Sequence, residues 1–217
     1  MKNLLLINIS FTDMDKSGNR IGIMGGTFDP IHIGHLAVAE KAREEFGLER
    51  VIFIPAGFPP HKKEFFSSAK SRLEMVKIAT EGNPFFEFSS IEVDNKRKAS
   101  YTYDTLTALE DVYKGFRIYL IVGEDSFHDL PNWHKHELLI KKATFLVARR
   151  KADRPFEIKG KRAEELKYHL ISSPLLEISS SYIRDCFAGG KTVKYLVPEK
   201  VILYMRRNNL YGFKNST

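Results

Sequence analysis

From residue 21 onward, short apolar runs alternate with stretches whose apolar positions recur at helical spacing. Ile21–Met24 reads as a first strand. The pattern from His32 to Phe46, strongest over His35–Phe46, reads as a helix ended by Gly47. Val51–Ile54 predicts a second strand, stopped by Pro55-Ala56-Gly57. A loop over 58–70 precedes a helix over Arg72–Thr80. Phe85–Val93 holds a third strand, or two short ones. Thr102–Tyr113 predicts a helix, Ile118–Val122 a buried strand closed by Gly123, His136–Lys142 a helix and Ala143–Ala148 a strand. Leu175–Ile178 predicts a late strand running into a helix over Ser181–Phe187. Pro198–Asn208 reads as a closing helix with proline at its start. The charged stretch 150–172 reads as exposed surface.

This alternation predicts an α/β fold, a Rossmann-like doubly wound parallel sheet covered on both faces, in a single domain with a helical C-terminal part. Ligands of such sheets bind beyond the carboxyl ends of the strands. The glycine-rich and polar segments after Met24, Ile54 and Val122 all fall at that edge.

The string at the end of the first strand carries the most chemistry. Gly25-Gly26-Thr27-Phe28-Asp29-Pro30 leads into His32-Ile33-Gly34-His35, a strand, a glycine turn and a helix start. Backbone N–H groups and the positive helix end there suit phosphate. His32 and His35 share one face of the first turn, and Gly34 is expected to keep that face open to a large anion. Ile178-Ser179-Ser180-Ser181-Tyr182-Ile183-Arg184 combines helix-capping hydroxyls with a guanidinium one turn in, again suited to phosphate. Gly123-Glu124-Asp125-Ser126 offers a carboxylate for a ribose hydroxyl. Trp133, in the loop Leu130–His134, offers a flat ring for stacking. Ser100-Tyr101-Thr102 opens a helix whose end suits a small carboxylate, and Lys62, in Pro59-Pro60-His61-Lys62, adds positive charge on a loop.

These strings resemble a known family. The first resembles the signature of the HxGH nucleotidylyltransferases. The Ser179–Arg184 string resembles their C-terminal Ser-Ser-Thr-x-Ile-Arg signature, with Ser181 where threonine is usual. Ile54–Lys62, Arg72-Leu73-Glu74-Met75, Ser100–Leu106, Gly123 with Asp125-Ser126, and Trp133 are similar to the bacterial nicotinate-nucleotide adenylyltransferases, in the same order from about Arg20 to Tyr211. Glu124 stands where alanine is common, and His134 where another aromatic is common.

The resemblance implies transfer of the adenylyl group of ATP to nicotinic acid mononucleotide, giving deamido-NAD and pyrophosphate in NAD biosynthesis, with Mg²⁺ on the triphosphate and no dedicated protein metal site. It implies catalytic roles for His32, His35 and Arg184. It implies an ATP site of Gly25, Gly26, Thr27, Phe28, His32, His35, Gly123, Asp125, Ser179, Ser180 and Arg184, and an acceptor site of Thr27, Lys62, Tyr101, Thr102, Trp133 and His134. Nicotinamide mononucleotide or another phosphorylated acceptor is the alternative substrate. A non-catalytic nucleotide- or RNA-binding module is the distant alternative.

Bulk properties narrow the setting. The 217 residues are 43% hydrophobic, ample for one core, and carry a formal net charge of +7. The basic residues are interspersed with acidic ones and not interleaved with aromatics, which favours a polyphosphate site over a nucleic-acid surface. Cys186 is the only cysteine, so no intramolecular disulfide forms and a cytoplasmic setting is expected. Met1–Ile9 is apolar but carries only Lys2 as a basic start, and no small-residue cleavage site follows it, unlike a signal peptide. Residues 1–19 are therefore expected to be an extension of unknown role, and 20–213 the nucleotidylyltransferase domain.

Overall fold

A computed structural model describes residues 18–58, 65–95, 99–149, 166–172 and 176–212. Six parallel strands run in the order β3-β2-β1-β4-β5-β6: β1 (Arg20–Gly26), β2 (Arg50–Pro55), β3 (Phe86–Phe88), β4 (Arg117–Gly123), β5 (Thr144–Ala148) and β6 (Tyr168–Ile171). The strand order reverses between β1 and its neighbours β2 and β4. That switch point brings the loops after β1, β2 and β4 to one edge.

Alternate side chains of each central strand feed two cores. Val51, Phe53, Tyr119, Ile121 and Leu146 point to one face. There they meet α1 (Ile33–Phe46), α2 (Ala69–Thr80), α7 (Ser180–Ala188) and α8 (Glu199–Arg207). Ile21, Ile23, Ile52, Ile54, Leu120 and Phe145 point to the other. There they meet α4 (Thr102–Val112), α5 (Glu124–His128) and α6 (His136–Lys142). Burial on both faces is why these strands read as unbroken apolar runs.

The helix ends follow local chemistry. Gly47, at φ 60°, ends α1 in the left-handed region that favours glycine. Ser68 caps α2 by accepting the Ser71 N–H at 3.0 Å, so the helix begins at Ala69 rather than at Arg72. Of the two short strands allowed for Phe85–Val93, only β3 forms. Ile91–Asp94 is a single helical turn, α3, closed by Asp94 N–H to the Ser90 carbonyl at 2.8 Å.

The late strand expected over Leu175–Ile178 is not one. Residues 176–178 are irregular, with Ile178 N–H on the Leu176 carbonyl at 2.8 Å, and Leu175 lies outside the described residues. Ile178 is apolar because it packs against the core beside α1. The sixth strand is instead β6, inside the stretch expected to be exposed surface. An edge strand carries a mixed pattern, here Tyr-His-Leu-Ile, with only Ile171 fully buried.

Candidate active site

The loop from β1 to α1 is built around buried side chains. Phe28 holds φ 51°, a costly region for an aromatic residue. Its ring covers Gly26, where a Cβ would lie 3.0 Å from it, and meets the His35 ring edge-on at 5.0 Å. The Asp29–Pro30 peptide is cis. The Asp29 carboxylate, 4% exposed, accepts the Ser67 hydroxyl at 2.6 Å, the Tyr211 hydroxyl at 2.7 Å and the Phe66 N–H at 3.1 Å. This fastens the loop to the approach to α2 and to the last turn among the described residues, Leu210–Gly212.

His32 caps α1 and His35 occupies its third position. The His35 Nδ1 accepts the His32 backbone N–H at 3.2 Å, as a glutamate does in a capping box. The two rings stack with centroids 3.7 Å apart and 26° between planes. Gly34 does not leave an open face for an anion, as its position suggested. A Cβ there would lie 3.1 Å from His32 Nδ1, so the glycine makes room for the His32 ring itself. That ring is buried, and His35 is half-buried.

Helix α7 closes the other side. Ser179 caps it by accepting the Tyr182 N–H at 3.2 Å, and the Ser180 hydroxyl donates to the Pro30 carbonyl at 2.9 Å. Arg184 donates from Nη1 to the Asp29 carbonyl at 2.7 Å and from Nη2 to the Ser181 hydroxyl at 3.1 Å, over the face of Phe66 at 4.0 Å. His32, His35, Ser180 and Arg184, distant in sequence, thus share the 29–35 loop. The donors are imidazoles, hydroxyls, a guanidinium and helix-end N–H groups, a set suited to polyphosphate.

The remaining candidates lie along the same edge. Gly25 is exposed and open, and Thr27 is half-buried. Gly123 ends β4, and Asp125 lies exposed in the first turn of α5. Tyr101 caps α4, Thr102 begins it, and the Tyr101 ring packs on the His134 ring at 4.2 Å. Trp133 is half-buried against the core below. Lys62 lies outside the described residues. Among the described residues, no three His, Cys, Asp or Glu side chains cluster as metal ligands, and no helix is long and apolar enough to cross a membrane.

Several residues of this edge carry no role assigned from the sequence, although Asp29 and Arg72 lie in the strings quoted there. Arg72, fully buried, donates from Nη1 to the Thr27 carbonyl at 2.8 Å and from Nη2 to the Gly57 carbonyl at 3.3 Å. Its signal is an arginine in register with Met75 and Val76 on the buried face of α2. Asp29 and Tyr211 form the buried fastening described above. Glu92, on α3, accepts the Thr105 hydroxyl at 2.7 Å, and burial pushes its carboxyl pKa up from the ordinary value.

Comparisons with known proteins show the family. A family model described as cytidylyltransferase-like matches residues 23–186. A relative from Desulfitobacterium hafniense (strain Y51), named probable nicotinate-nucleotide adenylyltransferase, is 45% identical over 202 residues, 88% of this chain and 95% of its own. One of the same name from Exiguobacterium sibiricum is 42% identical over 193 residues, 89% of this chain and 99% of its own. The solved structure of Plasmodium falciparum nicotinic acid mononucleotide adenylyltransferase complexed with NaAD is similar with a TM-score of 0.73. It covers 90% of this chain and 98% of that one at 22% identity, a likeness of fold.

Proposed function

The chain belongs to the cytidylyltransferase-like family and, within it, to the nicotinate-nucleotide adenylyltransferases, and from that premise we propose that it transfers the adenylyl group of ATP to nicotinic acid mononucleotide. The products are deamido-NAD and pyrophosphate, a step of NAD biosynthesis. We assign residues 20–213 to this nucleotidylyltransferase unit and its work to the cytoplasm, a setting that suits the single buried thiol of Cys186.

An oxygen of the acceptor 5′-phosphate attacks the α-phosphorus of ATP in line. As that P–O bond forms, the bond to the β-phosphate oxygen breaks and pyrophosphate leaves with the electron pair. The acceptor phosphate is already anionic at neutral pH, so the protein needs no nucleophile or general base. Its work is to position two anions and to offset charge that moves onto the leaving pyrophosphate. ATP enters as its Mg²⁺ complex. The described donors are cationic or neutral and fit phosphate oxygens, while the phosphates and water suit the metal.

The stacked His32–His35 pair, in the loop that Arg184 holds through the Asp29 carbonyl, is the observation that carries the reading. We assign both imidazoles to the triphosphate, with Gly25, Gly26, Thr27 and Phe28 giving close backbone approach. Ser179, Ser180 and Arg184 take the β- and γ-phosphates. Each terminal nitrogen of Arg184 keeps a second hydrogen beyond its bonds to Asp29 and Ser181. Gly123 and Asp125 take the adenosine ribose. Lys62 meets the acceptor phosphate, Trp133 and His134 its pyridine ring, and Tyr101 and Thr102 its carboxylate, near the positive end of α4.

The test is pyrophosphate release with ATP and Mg²⁺, comparing nicotinic acid mononucleotide with nicotinamide mononucleotide. Faster release with the acid is expected. Release only with the amide would redirect the substrate assignment, and binding of ATP without release from either would overturn the reading.

A further inference from the structure

Gly57, in the loop after β2, lies between the buried Arg72 guanidinium and the half-buried carboxyl group of Glu92. Its carbonyl takes the Nη2 of Arg72, whose Nη1 holds the Thr27 carbonyl of the nucleotide loop. Its N–H and that of Phe58 both donate to the Ser100 hydroxyl oxygen at 3.0 Å, and Ser100 N–H returns a bond to the Phe58 carbonyl at 3.0 Å. The Ser100 and Thr105 hydroxyls in turn donate to the Glu92 carboxylate. The contact leaves no slack: a Cβ on Gly57 would lie 2.0 Å from the Glu92 carbonyl oxygen.

These bonds form one continuous path. It runs from Thr27, through Arg72, Gly57 and Ser100, to Glu92 and Thr105 on the first turn of α4. Its two ends are the nucleotide loop and the acceptor end of α4. We propose that Arg72 and Glu92 are positioning residues that set the span between these two loops, and so the reach from the α-phosphorus to the acceptor phosphate. The inference rests on the adenylyl-transfer reading above.

The two residues act at different points of the path. Arg72 grips the nucleotide loop directly through Thr27, so its loss disturbs both substrates. Glu92 holds the acceptor side through Ser100 and Thr105 and meets the loop after β2 at the Gly57 N–H, but makes no bond to the nucleotide loop itself. It also borders a recess of about 450 Å³ shared with Tyr101, Asp104 and Lys135, so a change there can relax locally. In-line attack is sensitive to displacements of an ångström or less. A loosened acceptor loop therefore appears as weaker acceptor binding and a lower kcat, with ATP binding kept.

The test uses the full chain with ATP, Mg²⁺ and nicotinic acid mononucleotide. Glu92→Gln keeps a carbonyl oxygen for Thr105 and removes the charge that Ser100 meets. It is expected to raise KM for the mononucleotide about five- to tenfold and to leave KM for ATP within about twofold. Ser100→Ala removes the hydroxyl between Gly57 and Glu92 and is expected to give the same selective shift, so a poorly folding Glu92 variant does not end the test. Arg72→Lys is expected to raise both KM values and lower kcat. Equal shifts of both KM values in the Glu92 and Ser100 variants, or a lowered Tm with neither KM changed, overturn the proposal. An inactive wild-type chain overturns the underlying reading instead.

Discussion

His35 accepts the backbone N–H of His32 through Nδ1, 3.2 Å away, while the two imidazoles lie face to face. That bond requires a bare Nδ1, so the proton of the neutral His35 ring sits on Nε2. The side chain therefore presents an N–H donor at its outer end, with its orientation set by the helix cap and by the edge-on Phe28 ring. A donor held this way needs no reorganisation when charge develops on a phosphate.

His35→Ala removes that donor and the capping bond together. Turnover is expected to fall about a hundredfold or more, the scale for losing one preorganised charge-stabilising group. Loss of the cap adds about 1 kcal/mol of destabilisation, so the chain stays folded. Steady-state kinetics with a parallel melting curve checks both. A kcat near that of the wild type in a folded variant would remove His35 from the reaction.

Gly34→Ala separates packing of the site from packing of the helix. Alanine is favoured over glycine in a helix by about 1 kcal/mol. Here its Cβ would lie 3.1 Å from His32 Nδ1 and 3.2 Å from Cε1, so the His32 ring must shift by a few tenths of an ångström against its stack on His35. The expected result is a Tm within a few degrees of the wild type and a kcat lowered about tenfold. An unchanged kcat would show that the histidine stack is not needed for turnover.

The parts of the molecule visible in the sequence are those in which neighbours in the chain are also neighbours in space. β1, β2, β4 and β5 are apolar at nearly every position because helices cover both faces, and the His32-Ile33-Gly34-His35 turn is one helical cap. β6 was hidden because an edge strand with a histidine facing Phe46 lacks an apolar run. Ile178 misled for the converse reason, being apolar for packing against α1 without pairing in the sheet. The fastenings of the site were hidden by separation. Arg72 meets a carbonyl 45 residues away, and Tyr211 meets Asp29 across 182 residues. No local pattern encodes such pairs. A charged residue on the buried face of α2 was the one visible trace.

Tyr211→Phe tests the longest of these fastenings. The phenol is buried beside the Asp29 charge, and both effects push its pKa up, so it remains a donor across the neutral range. Without the hydroxyl, the buried Asp29 carboxylate keeps Ser67 and the Phe66 N–H but loses a 2.7 Å bond. A hydrogen bond to a charged acceptor contributes about 2 kcal/mol, so Tm is expected to fall by about 5 °C. Thermal denaturation checks this, and an unchanged Tm would mean that solvent or Ser67 fully replaces the phenol.

Glu92 gives the stability of the chain a pH dependence of known sign. Burial raises its pKa above the usual 4.5, against the opposing pull of the Thr105, Ser100 and Gly57 bonds and the Arg72 charge. The native state therefore binds this proton more tightly than the unfolded chain does. The favourable contribution is complete below the usual glutamate pKa and is lost as pH rises through the native value. Glu92→Gln removes the titration. The Tm of the wild type relative to the variant is therefore expected to decline as pH rises above the usual glutamate value of 4.5, with the change confined to the interval between the unfolded and native pKa values. Denaturation of both proteins in matched buffers across that range measures the difference. A difference that rises with pH would mean that Arg72 and the three hydrogen bonds outweigh burial, leaving a carboxylate stabilised in the fold.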